Sequence, residues 1–298
     1  MESRDPPRHA LLAQLSGLTS EEMAAFQRWW PTLPPERRHL CLQRMSSLAE
    51  DDVELDFDTI FRLGLADADA QVREQAVVGL WESNDRTLVE PLMKLLKEDP
   101  AEPVRASAAI SLGKFGALAE EGKILPRDGE RIKEALLHVL ENPRETIEVR
   151  RRALEGVAAF NTPRVQELIR QAYRGPEVEV RLSAIYAMGR TCDARWLPLL
   201  IKELKNPDPA FRYEAAGACA ELGDEEVVPC LIPLLSDEDP EVQLAVIRTL
   251  GVCGGRLAKR ALQRCLKSED EAVRQAAEEA LGQLDMEESP LDFKFPRP

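Results

Sequence analysis

A valine–arginine pair returns along most of this chain at a nearly fixed interval, and no other feature constrains its fold as tightly. The pairs are Val72-Arg73, Val104-Arg105, Val149-Arg150, Val180-Arg181 and Val273-Arg274, with Phe211-Arg212 and Val242-Gln243 in step as variants. Successive steps are 32, 45, 31, 31, 31 and 31 residues, so one step carries an insertion of about fourteen. A period of roughly 20–50 residues marks an array whose units bury their apolar faces only against their neighbours.

The segment LLSDEDPEVQLAVIRTLGVCGG shows what one unit is physically. Asp239 stands where an N-cap should, and Pro240 has the fixed φ and missing donor that suit a helix entry. Counted from the valine, positions +4, +5 and +8 are small or aliphatic almost throughout. At +8 the series reads Leu80, Leu112, Val157, Met188, Cys219, Leu250 and Leu281. That spacing is one buried stripe of a helix. Glycines at +9 (Gly113, Gly189, Gly251, Gly282) or +12 (Gly116, Gly223, Gly254) are expected to let the chain leave the helix. A second amphipathic segment with an early proline follows, at Pro91, Pro198 and Pro229. Each unit therefore reads as a helix pair.

This pattern resembles the HEAT-repeat superfamily, and within it the short repeats named after phycobilisome lyases, over roughly residues 54–284. The resemblance implies that the Val–Arg helices line a concave side and the proline-containing helices a convex one. It also implies a ladder in which each arginine meets acidic turn residues of its own or a neighbouring unit. Asp69, Glu177, Asp208, Asp239 and Asp270 lie three residues before each anchor, and Gln243 should weaken the ladder where it replaces arginine. The expected fold is all-α: a right-handed α-solenoid of about seven HEAT-like helix pairs. Residues 1–53 form a helical N-terminal cap, 54–284 the repeats with an insertion at 116–130, and 285–298 a tail. In the cap, Thr19 and Glu22 have capping-box spacing, and Trp29 and Trp30 read as a packing plug. From Val104 to Glu121 the insertion predicts one lengthened helix, with a turn at Pro126, Asp128 and Gly129. In the tail, Phe293 and Phe295 would share one side of an extended segment.

Composition narrows the function. With 39 Lys/Arg against 53 Asp/Glu, the net charge of −14 argues against nucleic acid, whose affinity rests on phosphate neutralisation. Residues 131–205 are the exception, with 14 Lys/Arg and 10 Asp/Glu. No apolar run reaches the roughly 18 residues of a membrane span, and no signal peptide is apparent, so a cytoplasmic place is expected. The six cysteines form no CxxC pair and read as reduced core thiols.

Positions +2 and +6 should face the concave groove, since +4, +5 and +8 face the core, and hydrophilic residues are the default there. Ile110, Leu182, Tyr186, Tyr213 and Leu244 occur there, interleaved with Arg151, Arg152, Glu155 and Arg190. Tyrosine and arginine are the residue types that become hot spots. The expectation is a non-catalytic scaffold or adaptor that binds a protein partner through this surface. The tyrosines and aliphatics would supply affinity, and the arginines would select an acidic segment.

Catalytic chemistry finds little support in the sequence. The three histidines, His9, His39 and His138, are followed by alanine, leucine and valine, so the His–Glu pairs of helical-repeat iron hydroxylases are missing. Neither a phosphate-cradling glycine loop nor a G-x-S-x-G elbow occurs. No cofactor and no metal site is expected. The alternative, implied by the resemblance alone, is a phycobilin lyase-like subunit that handles a tetrapyrrole.

Overall fold

The structure, a computed structural model, describes residues 9–288, and every regular element among them is helical. The described residues divide into two compact units, one ending at Val157 and the other beginning at Ala158. The first contains α1 (His9–Ala13), α2 (Ser20–Trp29), α3 (Pro35–Asp51), α4 (Asp58–Gly64), α5 (Ala70–Gly79), α6 (Val89–Glu98), α7 (Glu102–Glu120), α8 (Pro126–Leu140) and α9 (Ile147–Val157). The second contains α10 (Pro163–Arg174), α11 (Val178–Arg190), α12 (Leu197–Glu203), α13 (Pro209–Leu222), α14 (Val228–Leu231), α15 (Pro240–Cys253), α16 (Gly255–Cys265) and α17 (Glu271–Glu288). In both, the helices that carry the Val–Arg motif stack on one another: α5 on α7 and α7 on α9, then α11 on α13, α13 on α15 and α15 on α17. This is the α-solenoid class.

The repeat's apolar code is also its core. Val72, Val104, Val149, Phe211 and Val242 are buried, as are the +8 residues from Leu80 through Leu250. Helix entry follows from the acids three residues before the anchor. Asp69 accepts from the Gln71 and Val72 amides, Asp208 from Ala210, and Asp239 from Glu241 and Val242. Each such cap contributes about 1 kcal/mol. Glu177, one methylene longer, makes no such bond.

The arginines are held by different residues, five before the next anchor or close to it. Arg73 gives two hydrogen bonds to Asp99 (2.7 and 2.9 Å), Arg105 two to Glu145, and Arg212 two to Asp237 (2.7 and 2.6 Å). Each of the three also donates to two carbonyls of its own entry loop, such as Asp67 and Ala68 for Arg73. Asp99 and Asp237 in addition accept the amide of Ala101 and of Asp239, so they lock the turn as well as the arginine. Gln243 keeps the contact to its own loop, donating to the Asp237 carbonyl, and the next unit offers Ser268 instead of an acid.

Two expectations about helix ends need correction. Gly113, Gly189 and Gly251 do not end helices; they lie inside α7, α11 and α15. A Cβ at Gly113 would come within 2.5 Å of the Gly156 Cα, and one at Gly189 within 2.6 Å of the Ala218 Cα. These glycines exist for close backbone approach, whereas Gly223, with φ +61, does end its helix. The insertion is also a longer helical hairpin. α7 runs unbroken to Glu120, but Pro126 opens α8, so Asp128 and Gly129 are buried helical residues. The turn sits earlier, around Gly122 (φ +72).

The N-terminal region carries the same logic as the repeats. Thr19 and Glu22 form the capping box. Counted from Arg37, the +4, +5 and +8 residues of α3 are Cys41, Leu42 and Met45, all buried. Arg38 then sits in the ladder position, bonding the Leu33 carbonyl and pairing with Asp67 at 2.8 Å. Trp30 is buried, stacks on Phe26 and donates Nε1 to the same Asp67. Trp29 is exposed, so only one of the two tryptophans plugs the core. The expected tail, with Phe293 and Phe295, lies outside the described residues.

Candidate functional site

In the second unit, three stacked helices present one surface in a regular grid. Arg190 on α11 and Glu221 on α13 are 31 residues apart and joined by a 2.9 Å ion pair, so equivalent positions on these helices stand side by side. One turn earlier the equivalent pair is Tyr186 and Gly217, and a turn before that Leu182 and Tyr213. α15 continues each row with Leu244, Arg248 and Val252. Spacing of i, i+4, i+8 keeps each set on one helix face.

Tyr186 and Tyr213 are 42% and 40% exposed, unusual values for tyrosines on two neighbouring helices. Leu182 and Leu244 are half-buried beside them. At the centre of the grid, Gly217 has open space where a side chain would be: a Cβ there would meet nothing within 4 Å. By the 31-residue step, this open position has Tyr186 and Arg248 as its counterparts on α11 and α15, and Tyr213 lies one turn before it on α13. Sequence reading missed Gly217, Arg248 and Val252. The 31-residue step from Tyr186 and Tyr213 was the signal that leads to them.

The remaining candidates belong to the first unit. Ile110 is half-buried on α7. On α9, Arg151 and Arg152 both bond Glu148, at 2.5 to 3.0 Å, and Arg152 bonds Glu155 at 2.9 Å. Burial pushes the Glu148 carboxyl up, but its bonds to Arg151 and Arg152 prevail and hold it below the usual carboxylate range. Burial acts against the Arg152 cation, and the bonds to Glu155 and Glu148 more than offset that. The cluster is two cations neutralised by two anions on one helix. Arg190, likewise, already has Glu221.

Other polar and reactive groups serve the fold. An open cavity of about 560 Å³ in the first unit, bordered by Leu65, Pro91 and Leu95, reaches down to the Arg73–Asp99 pair. Trp196 is buried with Arg170 over its ring, and Trp81 is exposed with the Lys114 ammonium 5.6 Å from its ring centre. Cys41, Cys219 and Cys253 are core thiols, but Cys192 is exposed, at a positive-φ position just past α11. Among the described residues, no three His, Cys, Asp or Glu side chains converge as metal ligands, and no helix is long and apolar enough to cross a membrane.

The sequence model of the HEAT repeats matches residues 60–125, 133–202 and 197–282. The chain belongs to the HEAT-repeat family. Among curated proteins no sequence matches this HEAT-repeat chain. Among solved structures it is similar to the complex of CpcE and CpcF of phycocyanin lyase from Nostoc, with 19% identity, TM-score 0.48, and coverage of 76% of this chain and 94% of that one. It is also similar to human deoxyhypusine hydroxylase, with 19% identity, TM-score 0.39, and coverage of 89% and 96%. An engineered protein gives 24% identity, TM-score 0.43, and coverage of 66% and 96%. These likenesses are of fold, not of activity.

Proposed function

We propose that this HEAT-repeat protein is a non-catalytic scaffold that binds a partner protein on the grid formed by α11, α13 and α15. The observation that carries this reading is Gly217, an open position framed by two exposed tyrosines. A partner side chain seated there would bury two large, rigid aromatic surfaces at low entropic cost, the pattern of an interface hot spot. Arg248, exposed and with no carboxylate partner among the described residues, supplies a polar contact at the rim. Leu182, Leu244 and Val252 extend the apolar area, and Arg190 with Glu221 closes one side. Ile110, Arg151, Arg152 and Glu155 form the related surface of the first unit, where internal ion pairing leaves little charge to select an acidic partner. The free cysteines support a reducing, cytoplasmic place of action.

The test is capture from a lysate of the native host, with wild type compared against Tyr186→Ala/Tyr213→Ala by mass spectrometry. Both side chains are exposed, so the double variant keeps its fold. Proteins retained by wild type and lost from the variant support the grid as the docking surface. An identical set from both contradicts it, and a coloured eluate would favour the tetrapyrrole alternative instead.

A further inference from the structure

Among the described helices of ten residues or more, α16 alone contains no aspartate or glutamate. This holds in a chain with 53 acidic residues. Residues 255–267 instead carry Arg256, Lys259, Arg260, Arg264 and Lys267. Ala258, Ala261 and Leu262 are buried and fix the helix's inner face. At 100° per residue, Arg256, Arg260 and Arg264 fall within an arc of roughly 80° on the opposite face, and Lys267 follows in the turn just past the helix. All four are exposed, and none has a carboxylate partner among the described residues, whereas Lys259, off the stripe, pairs with Asp285 at 2.7 Å. Like charges four residues apart on a helix repel one another. Elsewhere the fold neutralises such cations, as Arg131 is paired with Glu90 and Lys133 with Glu130.

We propose that the α16 stripe is a second docking surface, independent of the tyrosine grid, whose ligand is a short acidic segment of a partner protein. Three of the four cations are arginines, whose planar fork suits carboxylates in paired hydrogen bonds. They recur about every 6 Å along the axis, close to the spacing of alternate side chains in an extended peptide or of every fourth in a helix. The width of the stripe selects the class of ligand. α17, packed against α16, exposes Glu271, Glu278, Glu279 and Asp285. A membrane surface or a nucleic acid presents phosphates over a broad area and would meet these acids too. A single peptide strand or helix can be confined to the cations. Leu257, 52% exposed next to Arg256, gives such a segment one apolar contact.

The experiment measures fluorescence anisotropy of a labelled oligoglutamate peptide against the full chain at low ionic strength. Arg256→Ala/Arg260→Ala/Arg264→Ala should weaken binding about tenfold and flatten its salt dependence. Alanine preserves the helix. The control Lys94→Ala/Arg174→Ala/Lys205→Ala removes the same charge from exposed sites elsewhere and should change affinity less than about twofold. Equal losses in both variants, or none in the first, overturn the proposal. So does tighter stripe-dependent binding of single-stranded RNA or of phosphatidylserine vesicles than of the peptide. Because Tyr186 and Tyr213 lie elsewhere, their double variant keeps full peptide binding, and failure of one surface leaves the other standing.

Discussion

Arg181 holds its guanidinium carbon 4.6 Å from the centre of the Phe211 ring, where Arg73, Arg105 and Arg212 hold a carboxylate. The exchange follows from Asn206, which occupies the position of Asp99 and Asp237. Asn206 still accepts the Asp208 amide, so the turn is kept. Its amide donates to Glu203, a buried carboxylate that also accepts from Tyr173. Arg181 is left to the aromatic faces of Phe211 and Tyr173.

Asn206 shows that asparagine suffices for the turn, so Asp237→Asn removes the charge and little else. With the Asp237 side chain 5% and the Arg212 side chain 14% exposed, breaking this pair should cost about 2–3 kcal/mol in urea unfolding at neutral pH. The hydrogen bond from Arg212 holds the Asp237 carboxyl below its usual range against the effect of burial. A depressed carboxylate stabilises the fold fully above its ordinary pKa of about 4 and loses that contribution as pH falls through the folded value. The difference between wild type and variant should therefore shrink as pH drops from about 5 to 3. A constant difference would mean that the loss is not electrostatic.

Restoring the acid at the break should do harm. Asn206→Asp sets a second carboxylate against Glu203, 2.5 Å from the present amide nitrogen, and should lower stability by about 1–3 kcal/mol. Adding Glu203→Gln should recover most of that loss. Stability equal to wild type in the single variant would show that the neighbouring acid is not what excludes aspartate here.

Gly113→Ala tests the close approach of α7 and α9. The added methyl must displace backbone at Gly156, so thermal unfolding should show a loss of at least about 2 kcal/mol. Gly217→Ala, where a Cβ meets nothing, should be neutral or slightly stabilising through helix propensity. Equal effects at the two sites would contradict the packing described.

Thiol reactivity separates Cys192 from the core cysteines. Burial pushes the Cys219 thiol up to about 12 and the Cys253 thiol to about 11, which leaves both without thiolate and without access. Titration of the native chain with a thiol reagent should show Cys192 reacting first, with Cys41, Cys219 and Cys253 released only on unfolding. Fast modification of Cys219 in the native state would overturn the assigned core.

The repeat was legible because valine or phenylalanine at the anchor and small residues at +4, +5 and +8 recur with little variation. α3 follows the same rule but hides it, since Arg37 replaces the anchor and only Cys41, Leu42 and Met45 remain. The ladder forms with acids of the neighbouring unit, but they are not the ones three residues before the anchor, for a related reason. Acids three and five residues before the anchor look alike in sequence, and geometry alone divides them into helix caps such as Asp69 and arginine partners such as Asp99. The grid was half legible. Exposed tyrosines stand out in composition, but a glycine matters only for the space around it, and Gly217 reads as one more helix interruption until its neighbours are in place.

Photo-crosslinking at position 217 tests the docking surface most directly. A benzoylphenylalanine residue in place of Gly217 occupies the open position beside Tyr186 and Tyr213 without touching the core. In a native-host lysate it should give a discrete adduct under light, absent when the same residue replaces exposed Lys97 on α6. No adduct at 217, or the same adduct from both positions, would contradict the account.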